Sequence, residues 1–240
     1  WEVIVFAVMG FFLSFNFFNF QIYEFISKQN LYLKNNFSIE DKVAKPTYDF
    51  LDLNSERLSG IASFIGLNIL LLFFIITFNY EQFVELPKAT ANQLAEETHE
   101  RVGAVIGSIV MAIVVIMFYF KGSFNFDKKA KFLKILAQIW VFLNAILVIS
   151  AMLKNTEYVY YLGLTYKRLG VYAFLSLAII GLIFTFVKIQ KQKTNAYLFN
   201  QMFWYVYGTI LVCSFINWGG IITSHNLKRE DFAANYHFNS

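Results

Sequence analysis

Six long apolar stretches make up most of this chain: Trp1 to Tyr23, Leu58 to Phe78, Val102 to Phe120, Phe132 to Leu153, Leu169 to Val187 and Tyr197 to Thr223. Each runs for roughly 19 residues or more with no charge at its centre, the length a helix needs to cross about 30 Å of hydrocarbon. Lipid offers no water to unpaired N–H and C=O groups, so such segments must close their hydrogen bonds internally as helices. The expected fold is all-α, a polytopic transmembrane bundle with six membrane helices. The lipid bilayer is its first partner.

Composition agrees with that reading. The chain is 58% hydrophobic and only 15% charged, and its two prolines, Pro46 and Pro87, fall between the stretches. A soluble domain would carry about 25% charged residues. The one cysteine, Cys213, lies inside the last stretch, so no disulfide or paired thiolate site is available. A net charge of +4, dispersed among loops, gives no nucleic-acid footprint. Trp1 already lies within an apolar stretch, with neither an initiator Met nor a basic leader, and the chain is expected to be a fragment. The expected organisation is a first membrane helix over 1–27, a loop over 28–57, a five-helix membrane region over 58–227 and a tail over 228–240. The loop is nearly balanced in charge and is expected to be solvated or docked on a partner.

Basic residues divide unevenly between alternate connections. Thirteen of the twenty Lys and Arg lie in the connections after the first, third and fifth stretches, among them Lys128, Lys129, Lys191 and Lys193; seven lie on the opposite side, among them Arg101, Lys167 and Arg168. Basic loops stay cytoplasmic. The expected location is therefore the inner membrane of a bacterium, with His99, Arg168, His225 and the C-terminal tail in the periplasm.

The centres of the stretches carry amides and hydroxyls in place of charges: Asn16 and Asn19, Ser63 and Asn68, Ser108, Gln138 and Asn144, Ser176 and Thr185, Ser214 and Asn217. Proton relays and voltage sensors need ionisable groups at depth, so a pump within this segment is disfavoured. Asn16 and Asn19 share a helical face by their three-residue spacing. Asn68 and Asn144, each set in an aliphatic run, are expected to bond across to neighbouring helices, at about 0.6 kcal/mol per bond. Gly103 and Gly107 form a GxxxG pair at which another backbone could approach closely. The alternative to such packing roles is a polar substrate path.

Candidate chemistry lies on the outer side. Ala91 to Arg101 reads as a short helix that places Glu96, His99 and Glu100 on one face. Two carboxylates and an imidazole, joined by His225 from the far end of the chain, could hold a metal or act catalytically with Arg168 and Asp231. The spacing matches no zinc signature. The same acids could equally pair with Lys167, Arg168 or Arg229, and Arg168, at a helix start with a planar fork, is expected to take a carboxylate from the Glu96 to Glu100 helix, Glu157 or the tail. No cofactor is expected.

Several motifs stand in a definite order: Leu67-Asn68; Glu85-Leu86-Pro87, followed by His99-Glu100-Arg101-Val102-Gly103; Asn125-Phe126-Asp127-Lys128-Lys129; Leu143-Asn144; Gly163-Leu164-Thr165-Tyr166-Lys167-Arg168-Leu169; and Asn217-Trp218 leading to His225-Asn226-Leu227. From Arg57 to the C-terminal end this order resembles the bacterial membrane family called domain of unknown function 4173, a near relative of the 4153 family. Trp218 and His225 depart from its pattern. The resemblance implies architecture, with additional spans before the matched region, and brings no reaction, cofactor or substrate. Three functions stay open: a non-catalytic subunit or scaffold, partnered by another membrane protein or by the missing N-terminal helices; a transporter or lipid-handling protein; and a membrane enzyme with an outer-face site.

The charge asymmetry yields a direct test of topology. In a variant with Cys213 replaced, a cysteine introduced at Lys129 should react with membrane-impermeant thiol reagents only after the cytoplasmic side is opened. Labelling from outside in intact cells would reverse the orientation.

Overall fold

A computed structural model describes residues 34–40, 42–44, 46, 52–83 and 91–228. The described residues form an all-α bundle: α1 (Leu53–Phe83), α2 (Ala91–Tyr119), α3 (Lys131–Leu162), α4 (Tyr166–Gln190), α5 (Asn195–Phe215) and α6 (Trp218–Leu227), with two 3-10 turns, Ser123–Asn125 and Lys128–Ala130, between α2 and α3. Short polar side chains start the helices by accepting otherwise unpaired amides of the first turn. Thr194 takes Tyr197 N at 3.3 Å, Asn217 takes Gly220 N at 3.0 Å, and Asp52 takes Ser55 N at 3.2 Å. Hydrogen bonds from the Ser55 hydroxyl and amide hold the Asp52 carboxyl below the usual carboxylate range, so this cap is lost as pH falls through that lowered value. Gly163 ends α3 at φ 81°, a conformation open to glycine because it has no Cβ.

Among the described residues four helices are long and apolar enough to cross a membrane, and a fifth span results if the bent α5–α6 pair is taken as one. They correspond to the last five of the six apolar stretches; Trp1 to Tyr23, with Asn16 and Asn19, lies outside the described residues. Two boundaries differ from expectation. The short helix expected over Ala91 to Arg101 is the first part of α2, since no proline separates it from the apolar run. Tyr197 to Thr223 is not one straight span: α5 and α6 meet at 67°. At 1.5 Å per residue the 21 residues of α5 already measure roughly 32 Å, enough for the hydrocarbon core. The chain then turns at Ile216 and Asn217, and α6 runs steeply across the direction of α5.

The central helix is α3, which packs against α1, α2 and α4, while α5 adds to the outer side of α4. Its membrane-length window is 56% buried, against 22% for α1, α2 and α4. Phe64, Ile116, Phe120, Leu133, Leu147, Leu175 and Leu182 fill the seams. Lipid tails are as apolar as these side chains, so close packing and interhelical hydrogen bonds have to hold the bundle together. Asn68 donates from α1 to the Leu136 carbonyl of α3 at 3.0 Å. Asn144, fully buried on α3, accepts from Ser108 of α2 at 2.8 Å and donates to its own helix at Trp140 O, also at 2.8 Å. Ser63 and the Tyr119 hydroxyl meet at 3.0 Å between α1 and α2.

The close approach anticipated at Gly103 and Gly107 is not made with the described residues: a Cβ at either would meet no heavy atom within 4 Å. Both glycines face outward. A tight contact of another kind occurs at Gly60, where a Cβ would lie 3.0 Å from the Tyr119 side chain and 3.1 Å from that of Leu133. Gly60→Leu should therefore force α1 away from α2 and α3, at a cost of about 1–3 kcal/mol, seen as a lower unfolding midpoint in detergent. Gly103→Leu and Gly107→Leu should leave the midpoint unchanged. Equal losses at all three positions would show that a neighbour covers the GxxxG face.

Candidate functional site

Polar side chains gather at the two ends of the bundle. At the end opposite the lysine-rich loops, the turn Gly163-Leu164-Thr165 links α3 to α4 and leaves the last carbonyls of α3 without helical partners. Arg168, in the first turn of α4, reaches back to them: Nη1 donates to Leu162 O at 2.8 Å and to Gly163 O. Its guanidinium lies over the Tyr158 ring, 3.9 Å from the centroid. Asn155 donates to the Arg168 carbonyl at 3.2 Å, and the Tyr172 hydroxyl to Thr156 Oγ1 at 2.8 Å. Among the described residues, Arg168 meets these carbonyls and the ring, with no carboxylate. Glu157 pairs instead with the buried Lys154 at 3.1 Å. Glu230 and Asp231, and the side chains of Glu96 and Glu97, lie outside those described.

The same turn is gripped from α6. Leu164 N donates to Asn226 Oδ1 at 2.7 Å, and Asn226 Nδ2 donates to Leu164 O at 2.9 Å. A single carboxamide thus satisfies both polar groups of one buried residue, as a neighbouring strand would. Two motifs far apart in the chain, Gly163-Leu164-Thr165 and His225-Asn226-Leu227, meet in this clamp. It fixes α6 against the α3–α4 corner. Trp218 secures the start of α6 by donating from Nε1 to Cys213 O at 2.7 Å.

Among the described residues the other candidates form no common cluster. Glu96 and His99 belong to the first turns of α2 by backbone, with side chains outside those described, and Glu100 is exposed on the same helix. His225 is exposed in the last turn of α6. It borders an open hollow of about 490 Å³ with Asn217, Gly220, Ile221, Ser224 and Lys228. Among the described residues no group of three His, Cys, Asp or Glu could hold a metal ion.

The lysine-rich end contains the larger network. Arg57, at the start of α1, forms an ion pair with buried Asp127 at 2.8 Å, and Asp127 also accepts from Lys129 N at 2.8 Å. Lys134 donates to Asn125 O at 2.8 Å. Lys188, fully buried near the end of α4, donates to Phe120 O at 2.9 Å, just past the end of α2. Asn195 donates to Met117 O at 3.2 Å. Part of the loop expected to be solvated or docked on a partner is held here by the bundle itself. Thr194 N donates to Asn35 O at 3.3 Å, Thr194 Oγ1 bonds Lys34 O, Asn200 donates to Asn35 Oδ1 at 2.8 Å, and Phe37 meets Phe126 edge-on at 5.1 Å. Sequence reading passed over Lys188 because it stands one residue beyond an apolar stretch and looks like an ordinary loop lysine.

Across both ends the chemistry is the same. Cations and amides are directed at backbone carbonyls and at acids already engaged. Asn226→Ala should free α6, since it leaves both groups of Leu164 unpaired; hydrogen exchange at Leu164 and along α6 should rise, with unchanged exchange in α1. Arg168→Lys keeps the charge but loses the planar fork, and should lower the unfolding midpoint less than Arg168→Ala does. An Arg168→Lys variant as stable as the parent would show that charge alone matters, and equal losses for Lys and Ala would show that the fork alone does.

The family model that matches the chain is described as Domain of unknown function (DUF4153), and it covers residues 1–237. The 4173 family that the motifs resemble is a near relative of this one, and the match takes in the segment before Arg57 that the motifs left out. No curated protein and no solved structure matches the chain. Over nearly its whole length this helical membrane chain belongs to the family described as Domain of unknown function (DUF4153).

Proposed function

We propose that the chain is a non-catalytic subunit or scaffold of a membrane protein complex, resident in the bacterial inner membrane with its C-terminal tail in the periplasm. The observation that carries this reading is how the polar groups within the bundle are used. Asn68, Ser108 and Asn144 bond between helices, while Arg168 and Lys188 cap helix ends. Groups committed to backbone and interhelical bonds build a rigid body, whereas catalysis needs groups left to meet a substrate. Orientation follows from the excess of lysine at the end formed by Lys121, Lys128, Lys129, Lys131 and Lys191.

The open hollow beside α6 favours a second reading, a lipid-handling protein, because it combines an apolar wall at Ile221 with Ser224, His225 and Lys228. Cross-linking in intact cells followed by purification in mild detergent separates the two. A scaffold should bring down one protein in fixed ratio, in two unrelated detergents. Purification of the chain alone, with lipid transfer between vesicles that depends on Ser224 and Lys228, would overturn the scaffold reading.

A further inference from the structure

We infer that the lysine-rich end contains an internal water-binding site at the C-terminus of α2, built from Lys188 and the Asn125 carboxamide. Both side chains donate to the same oxygen, Phe120 O, each at 2.9 Å. Both residues have no exposed surface, at 0%. Two donors that approach one carbonyl along its two lone pairs stand about 4–5 Å from each other. The ammonium and the amide are therefore immediate neighbours across a narrow gap.

Hydrogen-bond capacity on either side of that gap is unspent. An ammonium has three N–H donors, and the bond to Phe120 O uses one. Asn125 spends its Nδ2 on Phe120 O and on Gly122 O at 3.0 Å, which leaves Oδ1 buried with no partner among the described residues. Asn195 Oδ1 is buried and unpartnered in the same way, and its Nδ2 holds Met117 O, one turn back along α2. Buried polar atoms rarely stay unpaired, because each costs about 1–3 kcal/mol.

The occupant's chemistry follows from these two sides. Lys188 can only donate and the amide oxygens can only accept, so the ligand must accept from one side and donate to the other. A cation would meet the ammonium, and an anion would meet the amide oxygen of Asn125. A neutral molecule of water's size satisfies both, and buried waters make about three hydrogen bonds each. One water accepting from Lys188 Nζ and donating to Asn125 Oδ1 would join the end of α4 to the turn after α2 through a single centre.

The test is a cryo-EM map of the full chain in lipid nanodiscs, at a resolution that orders solvent and resolves Lys188 and Asn125. The expected result is a spherical peak about 2.7–3.2 Å from both Lys188 Nζ and Asn125 Oδ1. Direct contact between Nζ and Oδ1, an Asn125 amide turned so that Oδ1 finds a protein donor, or an empty gap between the two ordered side chains would each overturn the site.

Discussion

A helix that ends at the edge of a membrane leaves four carbonyls without partners where water is scarce. The rest of this bundle is arranged around that shortage. In each of two corners the donor is a cation from another helix. Arg168 of α4 serves the end of α3, and Lys188 of α4 serves the end of α2. A positive charge there also meets the negative end of the helix dipole, a favourable pairing of about 0.3–1 kcal/mol near a surface and up to ~2 when partly buried. One helix thus fastens two neighbours, at opposite ends, by its own side chains.

The interior follows a complementary rule. With little hydrophobic gain from moving a leucine out of lipid, α3 keeps its place through contact geometry and a few amide bonds on three sides. Asn144 shows the economy of this arrangement. Its oxygen accepts from α2 while its nitrogen returns to its own helix, so a fully buried carboxamide joins two helices with neither atom unpaired. Large apolar side chains complete the seams and would fit many registers; the amides admit far fewer.

Much of this was legible in the sequence. Helix class and span positions follow from the length of the apolar runs, because hydrocarbon thickness allows little choice. Asn68 and Asn144 stood out as amides in aliphatic surroundings. What stayed hidden depends on where helices stop. From the sequence Arg168 is expected to take a carboxylate, and its bonds to the Leu162 and Gly163 carbonyls depend on Gly163 turning the chain at φ 81°. Lys188 finds its acceptor 68 residues away, a relation no local pattern carries. Gly60 sits in no small-residue motif, yet it has the tight contact, while the motif at Gly103 and Gly107 has none among the described residues. The bend between α5 and α6 was obscured because Ile216, Trp218 and Ile221 keep the run apolar after the helix has already crossed.

The bridge between Asn36 and Lys193 sets an order of assembly. Its two sides are separated by 157 residues. A chain made from its N-terminal end presents Lys34 to Phe37 early, and that segment must wait through the synthesis of α1, α2, α3 and α4 before Thr194 and Asn200 exist to receive it. Loop-closure entropy delays such distant contacts, whereas the helical hairpins between them close locally and early. The joint is consequently a latch on a completed bundle: it can engage only once α5 has begun, so its formation reports that everything between has been made.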